Sequence, residues 1–221
     1  MKKEAIKSPR LPGKAISDGG SLPTDQICAD ASYANLKVSG QNYVKQVAGH
    51  VVFTRCHFQS VNFDRVQLPS LDLSDARFDE CDLANADWRK VILDRVEFVG
   101  CRLLGLRANE AHFKNTVIQE CNASLAQFRF TTFKAVRFEN CNLRGADFQE
   151  ADLRGVVFKD CDLREVQMSS ARLENTDFRG SEIEGLMVGA DNLKGAIVEP
   201  FQAAYFAGLM GLQVKWTDTE S

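Results

Sequence analysis

Large apolar side chains recur at every fifth residue from Phe53 to Val198. Of these 30 positions, 28 hold Phe, Leu, Ile, Val, Met or Trp, and the other two are Ala108 and Ala123. Two residues ahead of each sits a smaller side chain. From Val51 to Ala196 these smaller residues comprise 8 Val, 8 Ala, 6 Cys, 3 Leu and 3 Thr, with Ser181 and Asp191 as exceptions. Neither a helical period of 3.6 nor a strand period of 2.0 directs one large and one small side chain inward every five residues. A chain that turns a corner after each five-residue face does so, and fixed-period self-similarity of this kind predicts a solenoid.

A second period closes the coil. One column of central residues reads Phe58, Phe78, Phe98, Ile118, Phe138, Phe158, Phe178, Val198, and another reads Phe63, Leu83, Leu103, Ala123, Leu143, Leu163, Ile183. Cys81, Cys101, Cys121, Cys141 and Cys161 follow the same interval of twenty. Four five-residue faces per turn predict an all-β solenoid, a quadrilateral β-helix of about seven to eight coils, with coils ~4.8 Å apart. Ala108 falls between Trp88 and Phe128 in its column, which reads as volume compensation within the core.

The frame sets the boundaries. Residues 1–30, polar and rich in Pro, Gly and Ser, predict a tail or cap. Residues 31–50 predict an irregular first coil, because Tyr33, Val38 and Tyr43 keep the frame while Gln41 and Gln46 are wrong for the small inward site. The repeat domain covers 51–198, a terminal helix and strand 199–216, and a tail 217–221. In FQAAYFAGLMG, Phe201, Tyr205, Phe206, Leu209 and Met210 fall at helical offsets, with Pro200 suited to the first turn and Gly211 to the stop. Leu212, Val214 and Trp216 then alternate as in a short strand. This segment carries more apolar surface than one solenoid end covers, so Phe201, Tyr205, Phe206, Leu209, Met210, Leu212, Val214 and Trp216 are the expected contact of a homodimer.

Composition narrows the chemistry. A chain of 221 residues, 44% hydrophobic, forms one domain. No apolar run is long enough to span a membrane, and MKKEAIKSPRLPGK lacks the apolar segment of a secretory signal. Seven cysteines, an odd number with five in one inward column, fit a reducing cytoplasm better than a disulfide framework. Stacked cysteines point the same way along a line, unlike the facing pair of a disulfide or the tetrahedron of a zinc site. No metal and no cofactor is therefore expected. Of the three histidines, His57 and His112 sit one residue before a central position and face outward, and His50 lies near the N-terminal edge. No catalytic triad, carboxylate pair or phosphate loop can be assembled, and an enzyme is not expected.

Function is therefore expected on the outer surface. Between 51 and 200 there are 24 Asp and Glu against 19 Lys and Arg, and from Phe138 onward 13 against 7. Asp147, Asp152, Asp162, Asp177 and Glu182 occupy outward sites of this acidic half, interleaved with Arg144, Arg154, Arg164, Arg172 and Arg179. One reading is a solvated, charge-mixed face; the other is a rod bearing carboxylates where DNA bears phosphates. The sign of the charge argues against direct nucleic-acid binding.

The units ANADW (84–88), CNLRG (141–145), ADFQE (146–150), ADLRG (151–155) and CDLRE (161–165) resemble the pentapeptide-repeat family. The resemblance implies a right-handed quadrilateral β-helix. CDLANADW (81–88), VEFVGCRLLGL (96–106), SLAQFRF (124–130) and VEPFQAAYFAGLMGLQV (198–214) are similar to its quinolone-resistance branch, Qnr and MfpA-like. That likeness implies a dimer joined through C-terminal helices and a DNA mimic acting on DNA gyrase and topoisomerase IV, with the acidic residues above facing the enzyme. The alternative is a structural scaffold binding another protein.

Overall fold

The computed structural model describes residues 5–11 and 26–215, and the longer segment winds as a quadrilateral β-solenoid. Each five-residue face buries its large and small residues and turns two places after the large one. That corner residue has positive φ at every multiple of five from Asp30 to Gly185. A single left-handed residue between extended neighbours bends the chain sharply, which is why the beat is five and not two. Most corners are not glycine, so each carries a steric penalty of roughly 1–2 kcal/mol that inter-coil bonding must offset.

Eight parallel strands form one sheet: β1 (Ser32–Ala34), β2 (Lys37–Ser39), β3 (Val52–Gln59), β4 (Asp72–Asp79), β5 (Ile92–Val99), β6 (His112–Gln119), β7 (Thr132–Glu139) and β8 (Val157–Lys159). Strands β3 to β7 each cover two faces and bend at a left-handed corner, Arg55, Asp75, Arg95, Asn115 or Ala135. The register is always twenty, as in Phe58↔Phe78 and Phe98↔Ile118. The other two faces pair through single parallel bridges such as Asn62↔Asp82 and Gln67↔Asp87. Backbone groups bond to the coil above or below, for example the Asn62 N–H to the Gln41 carbonyl at 2.9 Å and the Phe63 N–H to the Asp82 carbonyl at 2.6 Å.

Inside, like stacks on like. Phe58, Phe78 and Phe98 are parallel at 4.7 and 5.0 Å, and Phe138, Phe158 and Phe178 at 5.2 and 5.6 Å, with Ile118 between the two stacks. Each buried ring contributes roughly 1.5–3 kcal/mol from area alone. Trp88 and Phe128 lie on either side of the fully buried Ala108, and the Trp88 indole N–H has no acceptor among the described residues. The inward cysteines are buried and donate to backbone carbonyls, as from Cys141 Sγ to Ile118 and Glu139.

Residues 31–50 keep the twenty-residue register, with Tyr33 opposite Phe53 and Asn42 opposite Asn62. What is irregular there is confined to the small sites. Gln41 and Gln46 are only half-buried, and Gln46 Oε1 accepts the Ile27 N–H at 2.7 Å, so a polar side chain closes the first coil.

At the far end the left-handed corner is missing at 190 and returns at Gly195, with φ of 79°. A 3-10 helix, Ala190–Leu193, replaces the corner at 190 and leaves Asp191, the anomaly of the small column, exposed in water. Pairing resumes once, at Asp177↔Ile197, before helix α1, Pro200–Leu209. Gly211 follows with φ of 82°, the left-handed residue that ends a helix. The expected strand over Leu212, Val214 and Trp216 does not form over its described part, residues 212–215. Residues 212–215 have no neighbouring strand to pair with, and the Leu212 N–H instead donates to the Ala207 carbonyl; Trp216 and 217–221 lie outside the described residues. No helix among the described residues is long and apolar enough to cross a membrane.

Candidate interaction surfaces

The terminal helix has two faces with different tasks. Glu199 and Gln202 form a capping box in which the Glu199 N–H donates to Gln202 Oε1 at 3.0 Å. The same Gln202 amide, almost fully buried, donates to the carbonyls of Phe178 at 2.8 Å and Ser181 at 2.7 Å. Glu199 Oε1 accepts the Gly180 N–H and the Tyr205 hydroxyl accepts the Gly185 N–H, at 3.0 and 2.7 Å. These are edge groups that a further coil would otherwise satisfy. Phe206 is 5% exposed and joins the core.

Of the expected dimer residues, Phe206 and the half-buried Tyr205 therefore serve the chain's own cap. Helical offsets alone do not tell which side of a short helix meets the solenoid. Phe201, Leu209, Met210, Leu212 and Val214 remain in water, Phe201 at 77% exposure. Gln202, unnoticed in the sequence, is the centre of the cap, and its three-residue spacing from Glu199 is the signal that could have revealed it.

The expected acidic positions are distributed along the rod, and several are answered locally. Asp152, Asp162 and Asp177 each grip the arginine two residues later in a two-pronged pair: Arg154, Arg164 and Arg179. The arrangement follows from the corner, since the same carboxylates accept the arginine backbone N–H. The guanidinium beside each holds the Asp152 and Asp162 carboxyls below the usual range. Asp147 lies 3.8 Å from Arg129, and Glu182, largely exposed, lies 3.2 Å from Arg164.

A different corner carries carboxylates with no basic partner among the described residues. Glu80, Glu120 and Asp160 occupy one column at intervals of two coils, with Gly100 and Asn140 between them. Glu80 meets only Ser60, and Glu120 only Gln119. Beside Asp160 lies a shallow hollow of about 360 Å³ lined by Asn140, Asn142, Asp162, Gly180 and Glu182.

The N-terminal segment 5–11 lies across the coils. The Lys7 N–H donates to Asn115 Oδ1 at 3.4 Å and the Arg10 N–H to Asp75 Oδ1 at 2.9 Å. Those acceptors share one corner column two coils apart, ~10 Å, a distance that three extended residues span. Ile6, Pro9 and Leu11 are half-buried there. Among the described residues no three His, Cys, Asp or Glu converge as a metal-ligand set.

Residues 91–168 and 131–199 match the family described as pentapeptide repeat region, and 72–103 match the pattern of pentapeptide repeats in eight copies. No curated protein matches the chain. Among solved structures, it is similar to HetL, a pentapeptide repeat protein involved in heterocyst differentiation regulation from the cyanobacterium Nostoc sp. strain PCC 7120. Identity is 17% over 80% of this chain and 90% of that one, with a TM-score of 0.37. Full-length QnrB1, a plasmid-mediated fluoroquinolone resistance protein, is 17% identical over 82% of this chain and 100% of its own, with a TM-score of 0.32. Rfr23 from the cyanobacterium Cyanothece 51142 is 16% identical over 76% and 91%, with a TM-score of 0.17.

Proposed function

Because the chain belongs to the pentapeptide repeat family, we propose that it binds proteins without catalysis, as a dimeric rod with an acidic edge. The supporting observation is the uncovered C-terminal end, where Phe201, Leu209, Met210, Leu212 and Val214 stand in water on one short segment. Contiguous apolar surface of this kind marks a contact, and an isologous contact covers both copies at once. Glu80, Glu120 and Asp160 then form an edge of fixed charges at ~10 Å intervals. A rigid carboxylate row competes for the basic surface of a DNA-binding protein through the same field that attracts phosphates.

The sequence likeness to the quinolone-resistance branch directs the test to DNA gyrase and topoisomerase IV in the cytoplasm. Purified protein should alter gyrase supercoiling and restore it in the presence of a fluoroquinolone. Neutralising the edge with Glu80→Gln, Glu120→Gln and Asp160→Asn should remove both effects. Wild-type protein without influence on either enzyme would sink the topoisomerase reading.

A second reading, a scaffold for another protein, is favoured by one observation. Asp152, Asp162 and Asp177 are neutralised by their own arginines, which leaves a mixed rather than uniformly negative face. Recovery of a single partner other than a topoisomerase, lost on substitution of those arginines by glutamine, would select it.

A further inference from the structure

One corner along from the acidic edge lies a shallow groove of about 640 Å³, lined by Lys45, Arg65, Gln67, Asn85, Arg107 and Gln127 and bounded by Gly105 and Leu125. Lys45, Arg65, Asn85, Gly105 and Leu125 are successive corners of one column, all with positive φ. Gln67, Arg107 and Gln127 stand one step away on the adjoining ladder, which runs Gln67↔Asp87, Asp87↔Arg107 and Arg107↔Gln127. Gly105 makes the depression. It has no side chain between Asn85 and Leu125, and a Cβ there would sit 2.8 Å from Asn85 Oδ1.

The groove is cationic in a chain whose net charge is −3. Of the carboxylates on its ladder, Asp87 within the groove is 2% exposed and lies beneath both Arg89 and Arg107, while Asp147, one coil beyond Gln127, lies 3.8 Å from Arg129. Arg65 is answered by Asp64 at the rim, and Lys45 has no acidic partner among the described residues. Beyond the ladder Arg89 pairs with Asp87 at 2.8 Å and Lys90 with Glu110 at 3.6 Å.

We infer that this groove binds an extended acidic polypeptide segment. From Lys45 to Leu125 is four coil rises, about 19 Å, which accommodates about six residues of extended chain. Along that length Gln67, Asn85 and Gln127 present amides, which both donate to and accept from a peptide backbone. Lys45, Arg65 and Arg107 take the alternate carboxylates, and Leu125, 62% exposed, closes one end with an apolar contact. A nucleic-acid strand fits less well, because the groove has no aromatic ring for a base to stack on.

The test uses the full-length protein and a fluorescein-labelled oligoglutamate of about six residues, read by anisotropy at low salt. Binding should weaken at least about tenfold in the Lys45→Glu, Arg107→Glu double variant and severalfold in Lys45→Glu, whose native side chain makes no ion pair that the fold could miss. Circular dichroism of both variants should match the wild type. The matching oligoglutamine peptide should not bind. Absence of binding by oligoglutamate, equal binding of oligoglutamine, or indifference to both substitutions overturns the inference. Tighter binding of a single-stranded oligonucleotide of equal length overturns it in favour of nucleic acid.

Discussion

The Gln202 side-chain amide donates to the Phe178 carbonyl at 2.8 Å, across an edge where the solenoid has no further coil to continue it. A buried amide that is fully engaged is replaced at the cost of the groups it leaves behind. Gln202→Leu should therefore lower stability by about 1–3 kcal/mol, since the Phe178 and Ser181 carbonyls and the Glu199 N–H all lose their partner. In thermal melts this corresponds to a fall of several degrees, about 2–4 °C per kcal/mol for a chain of this size. An unchanged melting temperature would show that water replaces the amide without penalty.

The division of the helix into cap and outer face separates two kinds of substitution that the sequence alone treats alike. Phe201→Asp and Met210→Asp should convert a dimer to a monomer in light scattering while leaving the melting temperature near that of the wild type. Phe206→Asp should instead destabilise the fold by more than about 3 kcal/mol, because a charge would replace a ring that is 5% exposed. A monomeric wild type would remove the dimer from the proposal.

Thiol reactivity should follow the core. Of seven cysteines only Cys28 is exposed, and burial pushes the Cys56 thiol up to about 11. Ellman's reagent at pH 8 should modify one thiol rapidly in the folded protein and all seven in denaturant. Rapid reaction of several thiols in the native state would mean that the inward ladder opens.

Acid should weaken the surface pairs. The Arg95 guanidinium beside Asp75 holds its carboxyl below the usual range, as Arg154 and Arg164 do for Asp152 and Asp162. A carboxylate whose folded pKa is depressed stabilises fully above its unfolded value, ~3.9, and loses that contribution as pH falls through the lower folded value. The melting temperature should be flat between about pH 5 and 7 and fall below about pH 4. Asp75→Asn should be less stable at neutral pH and show a shallower acid decline.

At Ala135 the corner φ is 53°, a conformation in which a Cβ is disfavoured. Ala135→Gly should therefore stabilise by up to about 1 kcal/mol, opposite in sign to the same exchange in a helix. Denaturant titration decides it, and a loss of stability would mean that the methyl packs more than it strains.

Burial was legible in the sequence because an inward position is defined by size and repeats thirty times. The Phe58 to Phe178 column and the cysteine ladder need no partner outside the period to be recognised. Polar groups are harder to read, since their partners are set by direction. Asp152 reads as an outward carboxylate interleaved with arginines, but its two-pronged pairing with Arg154 is a matter of direction that the spacing does not show. Asp191 broke the small column by one residue, yet nothing in its identity told that the turn at 190 becomes a 3-10 helix. The docking of Arg10 on Asp75 joins residues 65 apart with no repeating pattern on one side, and no periodicity reaches it.

The constant register has a consequence for spacing. Because every coil pairs with the next at twenty residues, removing one shifts everything beyond it by ~4.8 Å and keeps every column in register. The rod is thus a gauge with teeth: length changes in fixed steps while each column stays aligned. A partner that grips the helical end and another that lies along the side are held at a separation counted in whole coils. Loss or gain of a twenty-residue segment would retune that separation and leave both grips intact.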